Sequence, residues 1–334
     1  MLLPYILALG LLLFTLWFLR SGREWISGRH SRIALNSTKF QSFQLQEKIT
    51  VSPDTCIFRF ALRSPQQILG LPIGQHIYIR GHSTNSAGKR ELVQHAYTPI
   101  SSDEEVGHVD FLIKVYHKNV HPKYPSGGRL SQYLYHLPLG SMVEMRGPVG
   151  RFEYQGHGNF TINNNNNNNN NKSVKQQHTN VFTMVAGGTG ITPLLQLIRA
   201  ILRTPQDSTR IFLVYANRTE ADILLREELD KCAKDPRMKV WYVLSGAAPA
   251  DWKYSTGHIT EEILREHVPV LNEKNHNNHN HNRNGENGEN GEKNGVERKE
   301  RVFAVMCGPP MMLRQAVRPN LEKLGYTAEN MFEF

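Results

Sequence analysis

The chain has 334 residues, 39% of them hydrophobic, which is enough for two cored domains with appendages, so size does not force a stapled miniature fold. Its formal charge of +9 points to an acidic partner or an anionic membrane surface; nucleic acid is set aside because no zinc spacing, helix-turn-helix signal or aromatic-interleaved basic run occurs. Three scattered cysteines, Cys56, Cys232 and Cys307, without any C-x-x-C, argue for reduced cytosolic thiols and exclude a disulfide framework or an iron–sulfur cluster.

Met1 to Leu19 carries no charged side chain and, at ~1.5 Å per residue, nearly spans a bilayer core of about 30 Å. Its uncharged start and the arginines that follow (Arg20, Arg23, Arg29, Arg32) predict a retained transmembrane anchor, with a basic linker over 20–42 and the rest of the chain in the cytosol. Residues 43–160 show short alternating segments (QLQEKITV, CIFRFAL, HIYIRGH, HVDFLIKVYH, MVEMRGP) punctuated by Pro, Gly, Ser and Asp, the pattern of an all-β antiparallel barrel. Within 161–180 lies the unbroken run Asn163 to Asn171, which predicts a disordered insert.

From 181 to 334 the texture changes to strand–helix alternation, which predicts a doubly wound α/β domain with a mainly parallel sheet. Its strands are read in VFTMVA, RIFLVYAN, KVWYVLS and RVFAVMCGPP. The helices are read in the segment after the first glycine turn, in ADILLREELDKCAKD, in ITEEILREHV and near Met312 to Leu324. A second disordered insert is expected over 272–299; its His276, His279 and His281 lack any Cys or scaffold, so no metal site is expected there. The stretch VFTMVAGGTGITPLLQLIRAIL runs from a buried strand through Gly187, Gly188, Thr189 and Gly190 into a helix. Thr192 is expected as its N-cap and Pro193 at its first position, aiming free N–H groups at an anion or dinucleotide. The spacing matches neither G-x-G-x-x-G nor a P-loop.

Four segments combine in order: HAYTPIS, GGRLSQYL, GGTGITP and CGPPMM. With them, and with connecting text such as ANRTEADILLREEL, the chain resembles the ferredoxin-reductase-like flavoproteins, in particular the NADH–cytochrome b5 reductases, from about Phe43 to Phe334 outside the two inserts. The resemblance implies an FAD barrel beside an NADH-binding α/β domain. It places Tyr97, Thr98 and Pro99 along the flavin, with Thr98 near the reactive nitrogen, Ile113 and Tyr116 in the flavin region and Lys114 toward the nicotinamide. Gly127, Gly128, Arg129, Leu130 and Ser131 then hold FAD phosphates at a helix start. His95 stands where the family has an Arg on the FAD pyrophosphate, which predicts weaker FAD retention that improves at lower pH unless Arg129 compensates.

In the second domain Gly187 to Pro193 is implied to lie where the two cofactors meet, with Thr192 beside the flavin ring. Gly308, Pro309 and Met312 shape the adjoining turn, and Cys307 positions the nicotinamide by its bulk rather than as a nucleophile. Thr98, Lys114 and Cys307 are therefore the candidate catalytic residues. Ser245 occupies the place of an acidic residue that repels a 2′-phosphate, so NADH is expected while NADPH stays open. The activity implied is hydride transfer from NADH to FAD, then single electrons to cytochrome b5, at the endoplasmic reticulum or mitochondrial outer membrane. The alternatives are a reductase for another acceptor such as a quinone, and a membrane-tethered binding protein that has lost FAD.

Overall fold

The computed structural model describes residues 15, 32–84, 88–120, 122, 124–165, 172–271 and 300–334. Apart from Thr15, the expected anchor 1–19 lies outside the described residues, as do the insert 272–299 with its three histidines and residues 166–171 of the asparagine run. Among the described residues no helix is long and apolar enough to cross a membrane. The chain divides into two compact units at Val149/Gly150.

The first unit is a barrel-like antiparallel sheet of β1 (Gln41–Ser52), β2 (Thr55–Ala61), β3 (His76–Thr84), β4 (Arg90–Tyr97), β5 (His108–Lys114) and β6 (Met142–Val149), in the order β4-β3-β6-β1-β2-β5. Period-two alternation sends Phe43 and Leu45, Phe58 and Phe60, Ile77 and Ile79, and Val143 and Met145 into one core. The end of the expected linker joins it: Ala34 and Leu35 are buried, and Ala34 N–H donates to Ile68 O at 3.0 Å. Helix α1 (Arg129–His136) closes the core with Leu130 and Leu134, and its Tyr133 ring lies so near Gly81 that a Cβ there would sit 2.2 Å from it.

The second unit holds an all-parallel sheet of β10 (Val181–Gly187), β11 (Arg210–Asn217), β12 (Met238–Leu244), β13 (Ser255–Thr256), β14 (Val302–Cys307) and β15 (Met331–Glu333), ordered β13-β12-β11-β10-β14-β15. It also holds an antiparallel sheet of β7 (Phe152–Gly156), β8 (Asn159–Asn165) and β9 (Lys172–His178). This corrects the reading of 161–180 as disordered for residues 161–165 and 172–178, where strand pairing runs from Asn159↔His178 to Asn165↔Lys172. The physical reason lies in the flanking aromatics. Phe152 and Phe160 stack at 5.0 Å, and Phe160 meets Phe303 at 4.6 Å, so the polar hairpin is fastened at its base to the parallel sheet. Tyr154 Oη donates to Asp207, which also accepts His157 N–H at 2.9 Å.

Helix α2 (Ile191–Arg203) follows β10 and buries Leu194, Leu195, Leu197, Ile198 and Ile201. Its far end is held by one side chain: the Arg237 guanidinium donates to the carbonyls of Ile201, Leu202, Thr204 and Asp207 and pairs with Asp235. The helix expected over ADILLREELDKCAKD is shorter, α3 (Arg226–Cys232), because Thr219 and Asp222 close a separate capped turn and Leu225 takes a left-handed φ of 58°. Helix α4 (Glu261–His267) is capped by Thr260. The last expected helix is broken into α5 (Pro310–Met312), a π turn (Leu313–Val317) and α6 (Arg318–Lys323), since Pro319 has no N–H to continue the ladder.

Candidate functional site

Each unit gathers one group of the expected residues. In the first, β4 ends at Tyr97, whose partly buried phenol packs on the barrel core; burial, and then the neighbouring Tyr116, push its ionisation far above the ordinary range. Thr98 and a buried Pro99 follow directly. Tyr116 is tied to the glycine pair through its backbone: Gly128 N–H donates to Tyr116 O at 2.8 Å, and Tyr116 N–H donates to Ser131 Oγ at 3.2 Å. Gly127 has φ 64°, and a Cβ there would lie 2.3 Å from Tyr116 O, so only glycine fits. The first bond inside α1 runs from Gln132 N–H to Gly128 O, which leaves the N–H groups of Arg129, Leu130 and Ser131 at the open helix start.

The charged members of this group are engaged locally. Lys114, expected to reach the nicotinamide, lies 2.8 Å from Asp54 Oδ2. Arg129 Nη1 lies 2.7 Å from Glu91 Oε2. His95 is exposed on β4 opposite Ile79, whereas Ile113 and Leu130 are core side chains. Sequence reasoning missed His76. It stands on β3 one residue from the Ile77↔Tyr97 pair, beside the Thr98 end of β4, and its buried Nε2 has no hydrogen-bond partner. Burial holds its pKa below the usual value.

In the second unit the GGTG turn and the CGP turn interlock. A Cβ on Gly187 would lie 2.7 Å from Met312 Cε, one on Gly190 2.2 Å from Cys307 O, and one on Gly308 2.8 Å from Met312 Cε. Gly188 differs: its φ is 52° and a Cβ would meet nothing within 4 Å, so the turn presents bare backbone to open space there. The helix start departs from expectation. Gly190, not Thr192, is the N-cap, because a 3₁₀ turn over Gly188–Gly190 runs into the helix; Thr192 is buried inside it and its hydroxyl donates to Thr189 O at 3.2 Å. Pro193 is accordingly the third helical residue.

Burial and the carboxylate of Glu333 push the Cys307 thiol up to about 12, so it stays protonated at neutral pH, as a steric rather than nucleophilic part requires. Ser245 is exposed just beyond β12, and its N–H donates to Asn217 O at 2.9 Å. Two residues of β11 went unread. Tyr215 Oη donates to Gly188 O at 3.0 Å, and both side-chain amide atoms of Asn217 are buried without a hydrogen bond of normal geometry. Their signal was positional, since the carboxyl end of a parallel strand is where such sheets take ligands.

Residues 42–154 match the Oxidoreductase FAD-binding domain family and residues 184–318 the Oxidoreductase NAD-binding domain family. The chain belongs to these FAD- and NAD-binding oxidoreductases. It is 45% identical over 294 residues to a protein named Nitrate reductase [NADH] 1 from Zea mays (86% of this chain, 41% of that one). A protein named Nitrate reductase [NADH] 1 from Phaseolus vulgaris is 43% identical over 299 residues (89% and 29%). The chain thus spans about three tenths of the length of curated relatives such as the Phaseolus protein. Among solved structures, the cytochrome b5 reductase domain of Ulva prolifera nitrate reductase is 38% identical, with a TM-score of 0.75 over 90% of this chain and 99% of that one. The CS-b5R domains of human Ncb5or give 26% identity and a TM-score of 0.61 over 89% and 69%.

This oxidoreductase has one domain for FAD and one for NAD. Its residues fit both groups. The helix-start amides of α1 with Arg129 suit a pyrophosphate, and the Tyr97 ring with the orphaned His76 Nε2 suits a polar ring system. The open backbone at Gly188 and the buried Asn217 amide suit a dinucleotide lying over the sheet edge.

Proposed function

We propose that the chain takes hydride from NADH and passes single electrons to a cytochrome b5-type haem protein, with FAD held by the first unit and NADH by the second. Bound FAD supplies the conversion of an electron pair into single electrons. The residues contribute position. Tyr97 and Thr98, at the end of strand β4, would line the flavin, the Gly127–Ser131 segment would hold the phosphates, and the Gly187–Gly190 turn with Cys307 and Gly308 would set where the nicotinamide ring can lie. The observation that carries this reading is the interlocked pair of turns in the second unit, where three glycines are required by contact and a fourth is left open.

The relatives' names include a cytochrome b5 reductase domain, and the +9 charge suits an acidic haem-protein surface, which favours that acceptor over a quinone. Met1 to Leu19 is proposed as a membrane anchor, on the endoplasmic reticulum or mitochondrial outer membrane, because of its uncharged length and flanking arginines. Ser245 leaves NADPH as a second donor. Anaerobic titration with NADH should bleach the flavin band stoichiometrically, and oxidised cytochrome b5 should restore it. A colourless protein after reconstitution overturns FAD binding, bound flavin that NADH fails to bleach overturns the donor, and flavin reduced by NADH but not reoxidised by the cytochrome overturns the acceptor. Loss of membrane sedimentation when residues 1–31 are deleted tests the anchor.

A further inference from the structure

Of the residues that the resemblance places on the FAD phosphates, Arg129 carries a permanent positive charge, since His95 replaces the arginine that the resemblance leads one to expect. That cation is already in contact with an anion, the Glu91 carboxylate at 2.7 Å. We propose that Glu91 is a built-in competitor for the FAD pyrophosphate, holding the Arg129 guanidinium and lowering FAD affinity; this rests on the FAD reading above.

Three observations support it. The pair contributes little as structure, because its side chains are 44% and 37% exposed and a pair that wet is loosely held. Glu91 and His95 stand four residues apart on β4, on the same face as Val93, which pairs with Gly81 beneath Tyr133 of α1. Glu91, His95 and the start of α1 therefore border one surface. The third observation concerns the remaining donors. Ser131 Oγ is committed to Gly128 O and to Tyr116 N–H, so a pyrophosphate arriving there depends on the helix-start amides and the guanidinium. It must displace Glu91 or sit beside a like charge, and either lowers affinity.

The test is fluorescence titration of FAD into the full-length apoprotein as wild type, Glu91→Gln and Glu91→Lys. Glu91→Gln should bind FAD roughly threefold tighter, and Glu91→Lys at least as tightly. The gain should shrink as sodium chloride rises to about 0.5 M. Unchanged or weaker binding in either variant, or a gain indifferent to salt, overturns the proposal while leaving the FAD reading intact. Wild type that takes up no FAD overturns both.

Discussion

The two units build their ligand groups from the same starting material, a glycine pair pressed against backbone, and finish them differently. In the second unit the surroundings are backbone and apolar atoms: Cys307 O, the Met312 methyl and the Pro309 ring. In the first they are exposed charges: Arg129 with Glu91, Lys114 with Asp54, and His95. A contact surface of the first kind has its shape dictated by packing and tolerates almost no change. One of the second kind is set by electrostatics, so its affinity can be adjusted without touching the fold.

The contrast breaks most sharply at Gly190. Gly190→Val drives a side chain into Cys307 O and should cost at least about 3 kcal/mol in urea unfolding, whereas Gly188→Ala meets only its left-handed φ and should cost roughly 1 kcal/mol. Similar losses for the two would mean the turn is not defined by contact. Next in size is Tyr154→Phe, expected to cost about 1–3 kcal/mol by stripping a bond from Asp207. Burial alone would raise the Asp207 pKa, but bonds from Thr209, Tyr154 and His157 outweigh it and hold the carboxyl below its usual range. Its folded value is depressed, so its contribution is full above pH of about 4 and is lost as pH falls through the folded value. Urea curves of both proteins from neutral to acid pH should converge there.

On the charged side, Arg129→Gln should weaken FAD binding about tenfold with no change in unfolding midpoint, and a lost midpoint would make Arg129 structural. Smaller still, raising salt should slow cytochrome b5 reduction roughly threefold more than ferricyanide reduction, and equal slowing would remove electrostatic docking. The least effect is expected at Cys307. With the thiol pushed up to about 12, alkylation at neutral pH should be slow, and Cys307→Ala should keep NADH oxidation within about twofold of wild type.

Alternation made the barrel strands legible, and mainly apolar runs such as VFTMVA made the parallel ones legible, because each pattern directly reflects which faces are buried. The β8–β9 hairpin was hidden since most of its residues are polar; what orders it is Phe160 against Phe303, 143 positions away in sequence. The truncation of α3 depended on a capping box and a left-handed leucine that periodicity cannot register. In the site, glycine and cysteine positions came through from motif order, but the neighbours of charged groups did not. Glu91 and Asp54 meet their partners through strand pairing and helix docking, which no local pattern encodes.

Arg237 grips the far end of a helix whose near end carries the glycine turn. Helix α2 is a rod of thirteen residues, with the GGTG turn at one tip and the guanidinium's four carbonyls at the other. A rod of that length is about 20 Å, so a small tilt where Arg237 grips it is carried as a lever to the turn. The aim of the bare backbone at Gly188 is therefore governed partly from the opposite margin of the sheet, by a residue that touches no ligand.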